Sequence, residues 1–363
     1  MGTSETATRR LGLALYRLLF VALCAALTLH VFWVFIRDPG INTYHRAMFG
    51  DVVEGRAHKP YVTRWLVPLT TRAVHAALPP QTRVALGEGM AGNVLVQGFL
   101  RRGQWERELL PQYAIALVLM FAALVGLVFA FRWLHDGVFP PNRWRKDAAT
   151  VLLLVGLPPC FYYASYLSDF PGLFLWTLGL GLLVRERWGA YLAVFLIGCL
   201  NKETFILMWG VFALRYLWSR KMARRTFWSL AAAQLGMFVA VKLALGWVYR
   251  DNPGVSFELH WEDHTLALGE HLSRRNELWA MSLWLAGAAL AFLRWRTQPR
   301  FLKQSVAVLP VLIALTAVFG FLDELRDYYE AYPTLVLMLV HTLSWRPRSR
   351  VSRAGAYTLR PAA

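Results

Sequence analysis

The sequence predicts an all-α polytopic membrane protein: a bundle of about ten transmembrane helices whose first outer loop carries amphipathic helices. Three observations predict it. Hydrophobic residues fill 57% of the 363 positions and charged residues only 17%, with 16 Trp, more apolar surface than a water-soluble core of this length buries. Runs of about 17 to 25 apolar residues, enough to cross roughly 30 Å of hydrocarbon, recur along the chain. When those runs are threaded through a bilayer, Lys and Arg collect on one side of it.

The first run, 11–36, follows Arg9 and Arg10 as a signal peptide would. It is too long for one and lacks a small-residue cleavage site, so an uncleaved helix is expected. The runs 111–134, 148–166, 226–248, 278–295, 304–322 and 328–345 are similar in character. Between them, 170–218 is apolar but interrupted by Arg185-Glu186-Arg187 and by Asn201-Lys202-Glu203, which divides it into three spans of about 15 residues.

With the N-terminus inside, the cytoplasmic segments 1–10, 132–147, 185–188, 215–226, 294–303 and 344–363 hold 22 Lys or Arg against 4 Asp or Glu. The short loops opposite hold 5 against 12. Loop 37–110 carries 10 basic and 6 acidic residues but exceeds the length of about 60 over which the rule operates, and it is kept outside. The predicted organisation is one transmembrane domain over 1–345, with outer loops 37–110 and 249–277, then a basic cytoplasmic tail, 346–363. Both termini are cytoplasmic, in a membrane of the bacterial inner type. No fixed-period repeat and no matching pair of broken helices marks an inverted-repeat transporter.

The formal charge of +17 sits in cytoplasmic loops and tail, where anionic membrane lipids attract Lys and Arg, so it calls for no nucleic acid. Cys24, Cys160 and Cys199 lie in or beside apolar runs as small packing residues, and no disulfide framework is implied. Within 37–110, Trp65, Leu66, Leu69, Ala73, Val74 and Leu78 recur at helical spacing between Pro60 and Pro79-Pro80, predicting an interfacial helix. A second amphipathic stretch runs from Asn42 to Glu54. Loop 249–277 opens on the turn Asp251-Asn252-Pro253-Gly254 and has the character of a lid. Its His260 and His264 are four apart but have no third ligand, so no metal site is assigned.

Almost all acidic residues of the threaded chain share one face: Asp38, Asp51, Asp169, Glu203, those of the loop from Asp251 to Glu277, and Asp323, Glu324 and Asp327. Lys202 and Glu203 occupy a very short turn, where a charge near hydrocarbon is costly unless paired or functional. Asp169 precedes Pro171 and is either an N-cap or a site residue. Around Arg326 the chain reads Asp323-Glu324-Leu325-Arg326-Asp327, which is either an ion-pair network or a phosphate site.

The segment Arg37-Asp38-Pro39-Gly40, followed by Tyr44, Phe49, Gly50, Asp51, Gly55, Pro60, Tyr61, Arg64 and Pro68, resembles the first extracytoplasmic loop of GT-C glycosyltransferases. The resemblance implies a polytopic enzyme that takes a sugar from a polyprenyl-phosphate donor. It implies Asp38 as base, with Asp51 as rival, because family members often pair acidic residues where this chain has one beside Pro39. Arg64, Lys202 and Arg326 are the expected phosphate and donor contacts, supported by Tyr44, Asp169, Glu203, Asp323 and Glu324. The expected partners are a polyprenyl-phosphate-linked sugar, an acceptor the sequence does not name, and membrane lipids. No cofactor is implied, and a divalent metal stays open. The competing readings are a transporter or flippase for a lipid or polyanion, with its charges at mid-membrane, and another enzyme of polyprenyl lipids.

The charge pattern predicts that an impermeant thiol reagent applied to intact cells modifies a cysteine placed in 249–277 and spares one placed in 219–225. The reverse pattern overturns this topology.

Overall fold

The computed structural model describes residues 2–37, 40–161, 164–219, 222–255, 257, 259–260, 275–322 and 324–344. Asp38, Asp323, His264 and the tail 346–363 lie outside the described residues. Among the described residues every regular element is a helix. Four of them are long and apolar enough to cross a membrane: Arg10–Arg37, Arg107–Val138, Arg224–Val248 and Arg300–Phe319.

Helix α1 (Gly2–Arg37) leads into the first loop, which folds as α2 (Phe49–Glu54), α3 (Leu66–Ala77), α4 (Pro80–Ala91) and α5 (Val94–Arg102). The predicted interfacial helix is α3, and Pro79 and Pro80 end it as expected. Pro80 also opens α4, since proline at a first helical position gives up an N–H that has no partner there anyway.

Helix α6 (Leu110–Val138) is the axis of the bundle. Tyr113, Met120, Leu124, Leu127, Phe131 and Leu134 form its fully buried stripe at helical spacing. It packs on α7 (Arg143–Val155) and α8 (Asp169–Val184). The run 148–166 supplies only the second half of α7, because Pro158-Pro159 stops the helix and turns the chain through a 3₁₀ segment at Pro158–Phe161.

The interrupted stretch gives three helices, α8, α9 (Trp188–Asn201) and α10 (Leu207–Ser219). The remaining elements are α11 (Arg224–Val248), α12 (Arg275–Phe292), α13 (Arg300–Val306), α14 (Val308–Phe319) and α15 (Tyr332–Ser344). Each predicted apolar run therefore contains a helix, but α8, α9, α15 and the 281–292 part of α12 are short.

The chain reversals separate the charges into two ends. At the basic end Asp147 accepts from Tyr16 Oη at 2.6 Å and Arg132 Nη1 at 2.7 Å, joining α1, α6 and α7. Also there, Arg185 Nη2 donates to the Trp133 carbonyl at 2.5 Å and Arg215 Nη2 to Glu186 at 3.2 Å. At the acidic end the first loop docks onto three turns, one of them at 249–253, where the Lys59 N–H donates to the Pro253 carbonyl at 2.9 Å. The Trp65 N–H donates to the Leu200 carbonyl at 2.8 Å, and the Ser165 N–H reaches the Gly40 carbonyl at 3.4 Å.

An aromatic column fastens that loop to α6. Trp105 stacks on Tyr113 with centroids 4.2 Å apart, and Phe49 covers the other side at 3.8 Å. Buried Asn42 joins the parts: its Nδ2 donates to Tyr113 Oη at 2.6 Å and to the Gln104 carbonyl at 3.0 Å, while its Oδ1 accepts the Phe49 N–H at 2.7 Å. Replacing Asn42 with Ala strands polar groups in an apolar setting, so Asn42→Ala should lower unfolding free energy by about 2–4 kcal/mol. A thermal melt in detergent that matches wild type would refute this tether.

Candidate functional site

The acidic end gathers residues from five separate stretches of chain, one of them Lys242 of α11. Arg64 follows the 3₁₀ turn Tyr61–Thr63, and Lys202 and Glu203 follow α9. Asp169 opens α8, and Glu324, Arg326 and Glu330 lie between α14 and α15. Gly198 lets the Lys202–Ile206 segment fold back on α9: a Cβ there would overlap the Phe205 ring. Asn201 Nδ2 donates to the Ser168 carbonyl at 2.8 Å and ties this turn to the start of α8.

Glu203 is the hub. Arg64 Nε stands 3.6 Å from its Oε2, Lys242 Nζ 3.8 Å from its Oε1, and Thr63 Oγ1 donates to Oε1 at 3.2 Å. Burial alone would push this carboxyl up, but Arg64 and Lys242 outweigh it and hold Glu203 at about 2. Burial likewise opposes the charge on Arg64, and Glu203 with Tyr61 and Tyr166 raises it above the ordinary arginine value.

A second pair lies beside it. Arg326, only 8% exposed, pairs through Nη2 with Glu324 Oε1, and its guanidinium lies 3.8 Å from the Tyr166 ring centroid. Burial pushes Glu324 up to about 7 against the pull of Arg326. Arg326 in turn is raised, since Glu324 and nearby carboxylates more than offset its desolvation. Lys202 Nζ stands 3.6 Å from Glu330 Oε1, which also takes the Thr204 hydroxyl.

Aromatic rings separate the two pairs. Tyr61 stacks on Tyr166 at 5.1 Å, and Arg64 lies over both rings at 5.1 and 5.6 Å. Tyr44 meets Tyr61 edge-on at 5.3 Å. Asp169 is buried, accepts the Tyr166 N–H at 2.9 Å and lies in the electric field of Arg326, Lys202 and Arg64 together. A cavity of about 20 Å³ opens among Tyr61, Arg64, Ser165, Tyr166 and Ser168, room for one water molecule. On its wall Arg64 Nε and the hydroxyls of Ser165 and Ser168 have no hydrogen-bond partner among the described residues, and neither does Arg326 Nε nearby. Such groups are uncommon in a buried setting and mark donors available to a ligand.

Of the ten residues predicted for the site, Arg64, Lys202, Arg326, Asp169, Glu203 and Glu324 converge, with Tyr44 at the rim. Asp51 does not join them. Its side chain is 44% exposed and pairs at 3.5 Å with Arg56, while its carbonyl closes the end of α2 by accepting the Arg56 and Ala57 N–H groups. Asp38 and Asp323 lie outside the described residues. Lys242 was not anticipated, although a lone charge inside the 226–248 run is a signal in itself. Tyr61 was visible only as a member of a longer motif. No group of three or more His, Cys, Asp or Glu suited to a metal occurs among the described residues. No protein-family model, curated protein or solved structure matches the chain.

The two glutamates have opposite linkage to pH. Glu203, held below its ordinary value of 4.5, contributes stability above that pH and loses it as pH falls toward 2. Glu324, held above it, costs stability as pH rises from about 4.5 to 7. Between those limits Glu324→Gln should therefore flatten the decline of melting temperature with rising pH, and Glu203→Gln should not. Parallel slopes for wild type and Glu324→Gln would refute the assignment.

Proposed function

We propose that this chain is an integral membrane glycosyltransferase of GT-C-like architecture, taking a sugar from a polyprenyl-phosphate donor on the extracytoplasmic face. The observation that carries the proposal is the gathering of Arg64, Lys202 and Arg326, from three distant stretches, around Asp169 and Tyr166 at one end of the bundle. In this reading the acidic end is extracytoplasmic, both termini are cytoplasmic and the helices cross a membrane of the bacterial inner type many times.

The chemistry fits such a layer. Nucleotide sugars are confined to the cytoplasm, so transfer on the far side needs a donor carried on a lipid phosphate. The acceptor oxygen attacks the anomeric carbon and forms the new C–O bond. The bond from that carbon to the phosphate oxygen breaks, and its electron pair leaves with the phosphate. A carboxylate takes the acceptor proton, and cations stabilise the departing charge. Arg64, Lys202 and Arg326 serve the phosphate. Asp169, Glu203, Glu324 and Glu330 hold those cations in place in the absence of substrate. Asp38 is the proposed base; Gly40, two residues on, hydrogen-bonds to the turn that carries Tyr166. Asp51, exposed and paired with Arg56, is a poor rival.

A one-water cavity admits no sugar, so the first loop and the 164–169 turn must separate before a donor enters. The depth of the charges favours an enzyme over a transporter. Lys202, Arg64 and Arg326 lie at helix ends, and Lys242 is six residues, about 9 Å, from the end of α11, whereas a transport pathway needs charge at mid-membrane.

Lys202→Met or Arg326→Met should weaken binding of a polyprenyl-phosphate sugar about 10- to 100-fold. Asp38→Asn should lower turnover about 10²- to 10⁴-fold with donor binding nearly intact. Both are measured on detergent-purified protein, beside its melting temperature. Unchanged donor affinity in folded Lys202→Met and Arg326→Met protein sinks the phosphate role, and full turnover in Asp38→Asn sinks the proposed base.

A further inference from the structure

A groove of about 1040 Å³, far larger than the cavity at the acidic end, lies between α1, α6 and the start of α7 at the basic end. Phe20, Val21 and Leu29 of α1 face Phe121, Val125 and Phe129 of α6 across it. From Arg17 to Leu29 the groove follows twelve residues of helix, about 18 Å. Thr28 on its wall turns its hydroxyl back to the Cys24 carbonyl at 2.7 Å. Below the mouth, then, the groove suits a chain without polar groups.

The mouth differs in kind. It carries Arg17, Arg132, Arg143 and Lys146 against Asp136 and Asp147, an excess of two positive charges. Arg132 and Arg143 share Asp147 at 2.7 and 3.6 Å, and Lys146 pairs with Asp136 at 2.8 Å. Arg17 has no ion pair or hydrogen bond among the described residues and stands exposed at the head of the apolar wall. At the acidic end, by contrast, each of the four cations already has a carboxylate within 4 Å.

A cationic mouth above an apolar groove about 18 Å long is complementary to an anionic head on a hydrocarbon chain. We propose that this groove binds one anionic phospholipid, with an acyl chain between α1 and α6 and its phosphodiester at Arg17, Arg143 and Lys146. A zwitterionic lipid brings its own cation and leaves the excess charge of the mouth uncompensated. The inference rests on the membrane setting of the chain and is independent of the glycosyltransferase reading, whose residues lie at the other end.

The test is native mass spectrometry of the full chain, purified in detergent, stripped of lipid and offered phosphatidylglycerol and phosphatidylcholine in equal amounts. Wild type should retain one phosphatidylglycerol with about tenfold preference. Arg17→Gln should lower that retention about fivefold and leave phosphatidylcholine unchanged, because one cation near a headgroup contributes roughly that factor. Val125→Trp fills the groove and should lower retention of both lipids, while Lys303→Gln, which removes a basic-end cation outside the groove, should alter neither. Excess inorganic phosphate should displace nothing. Melting temperatures show which variants are folded. Equal retention of the two lipids by wild type overturns the proposal. So does wild-type retention in folded Arg17→Gln protein, displacement by inorganic phosphate, or preference for a polyprenyl phosphate over phosphatidylglycerol.

Discussion

The pairing of charges that have been taken out of water governs the acidic end. A buried ion without a partner costs several kcal/mol, so a chain that brings Arg64, Lys202, Lys242 and Arg326 into the packed layer must bring carboxylates with them. Glu203 meets two of the four, Glu324 and Glu330 one each. Because the partners come from different stretches, the pairing also fixes how those stretches meet. The Glu203 turn has to face the first loop to reach Arg64, and the Thr204 hydroxyl has to face the 324–330 segment to reach Glu330. Such a network holds cations in position at the cost of leaving them partly neutralised. A phosphate competes with carboxylates already present, and its binding is an exchange of partners.

That exchange depends on how rigidly the surroundings are held. On the α6 side the loop is held firmly: Asn42, Phe49, Trp105 and Tyr113 form a packed, hydrogen-bonded unit with hardly any exposed surface. On the 164–169 side the contacts are thinner, a backbone hydrogen bond at 3.4 Å and ring contacts among Tyr61, Tyr166 and Arg64. Elements with few strong contacts open at low free-energy cost. Any opening therefore falls between the loop and the 164–169 turn, because residues 55–65 are held on their other side by the Trp65 N–H on the Leu200 carbonyl at 2.8 Å and by Asn252 Nδ2 on the Gly55 and Ala57 carbonyls at 2.9 and 3.0 Å.

Much of this architecture was legible in the sequence, because apolar length and charge spacing are one-dimensional signals. The ten apolar runs do contain helices; Lys202 and Arg326 stand out in the sequence as cations at tight turns, and Arg64 as part of the first-loop motif. The misses have physical reasons. The run 148–166 was drawn too late because its apolar residues continue past Pro158-Pro159, which ends the helix whatever the hydropathy. Helix α4 escaped because Gly87 and Gly89 and a weak apolar stripe hide the period in 80–91, and α5 because nine residues are few to establish one. Asp51 stood behind Asp38 as the rival base, and only the fold shows its carboxylate turned to Arg56. Lys242 was passed over because a span drawn as uniformly apolar hides the one residue that departs from it, and its partner Glu203 is 39 positions away in sequence.

The contrast between the two ends is a consequence of the same rule with a different boundary. Where the fold encloses a cation, it supplies the counter-charge from its own chain, as Glu203 does for Arg64 and Lys242. Arg17 is instead exposed on the outer surface of α1, where the environment supplies whatever the chain does not. In water that would be solvent and salt, and an unpaired arginine would mean little. Beside an apolar groove about 18 Å long the counter-ion with most to gain is one tethered to a hydrocarbon chain, since burial of the chain adds to the attraction of the headgroup. An excess of two positive charges at a groove and local pairing within a packed layer are thus the same electrostatic requirement, met from outside the chain in one case and from within it in the other.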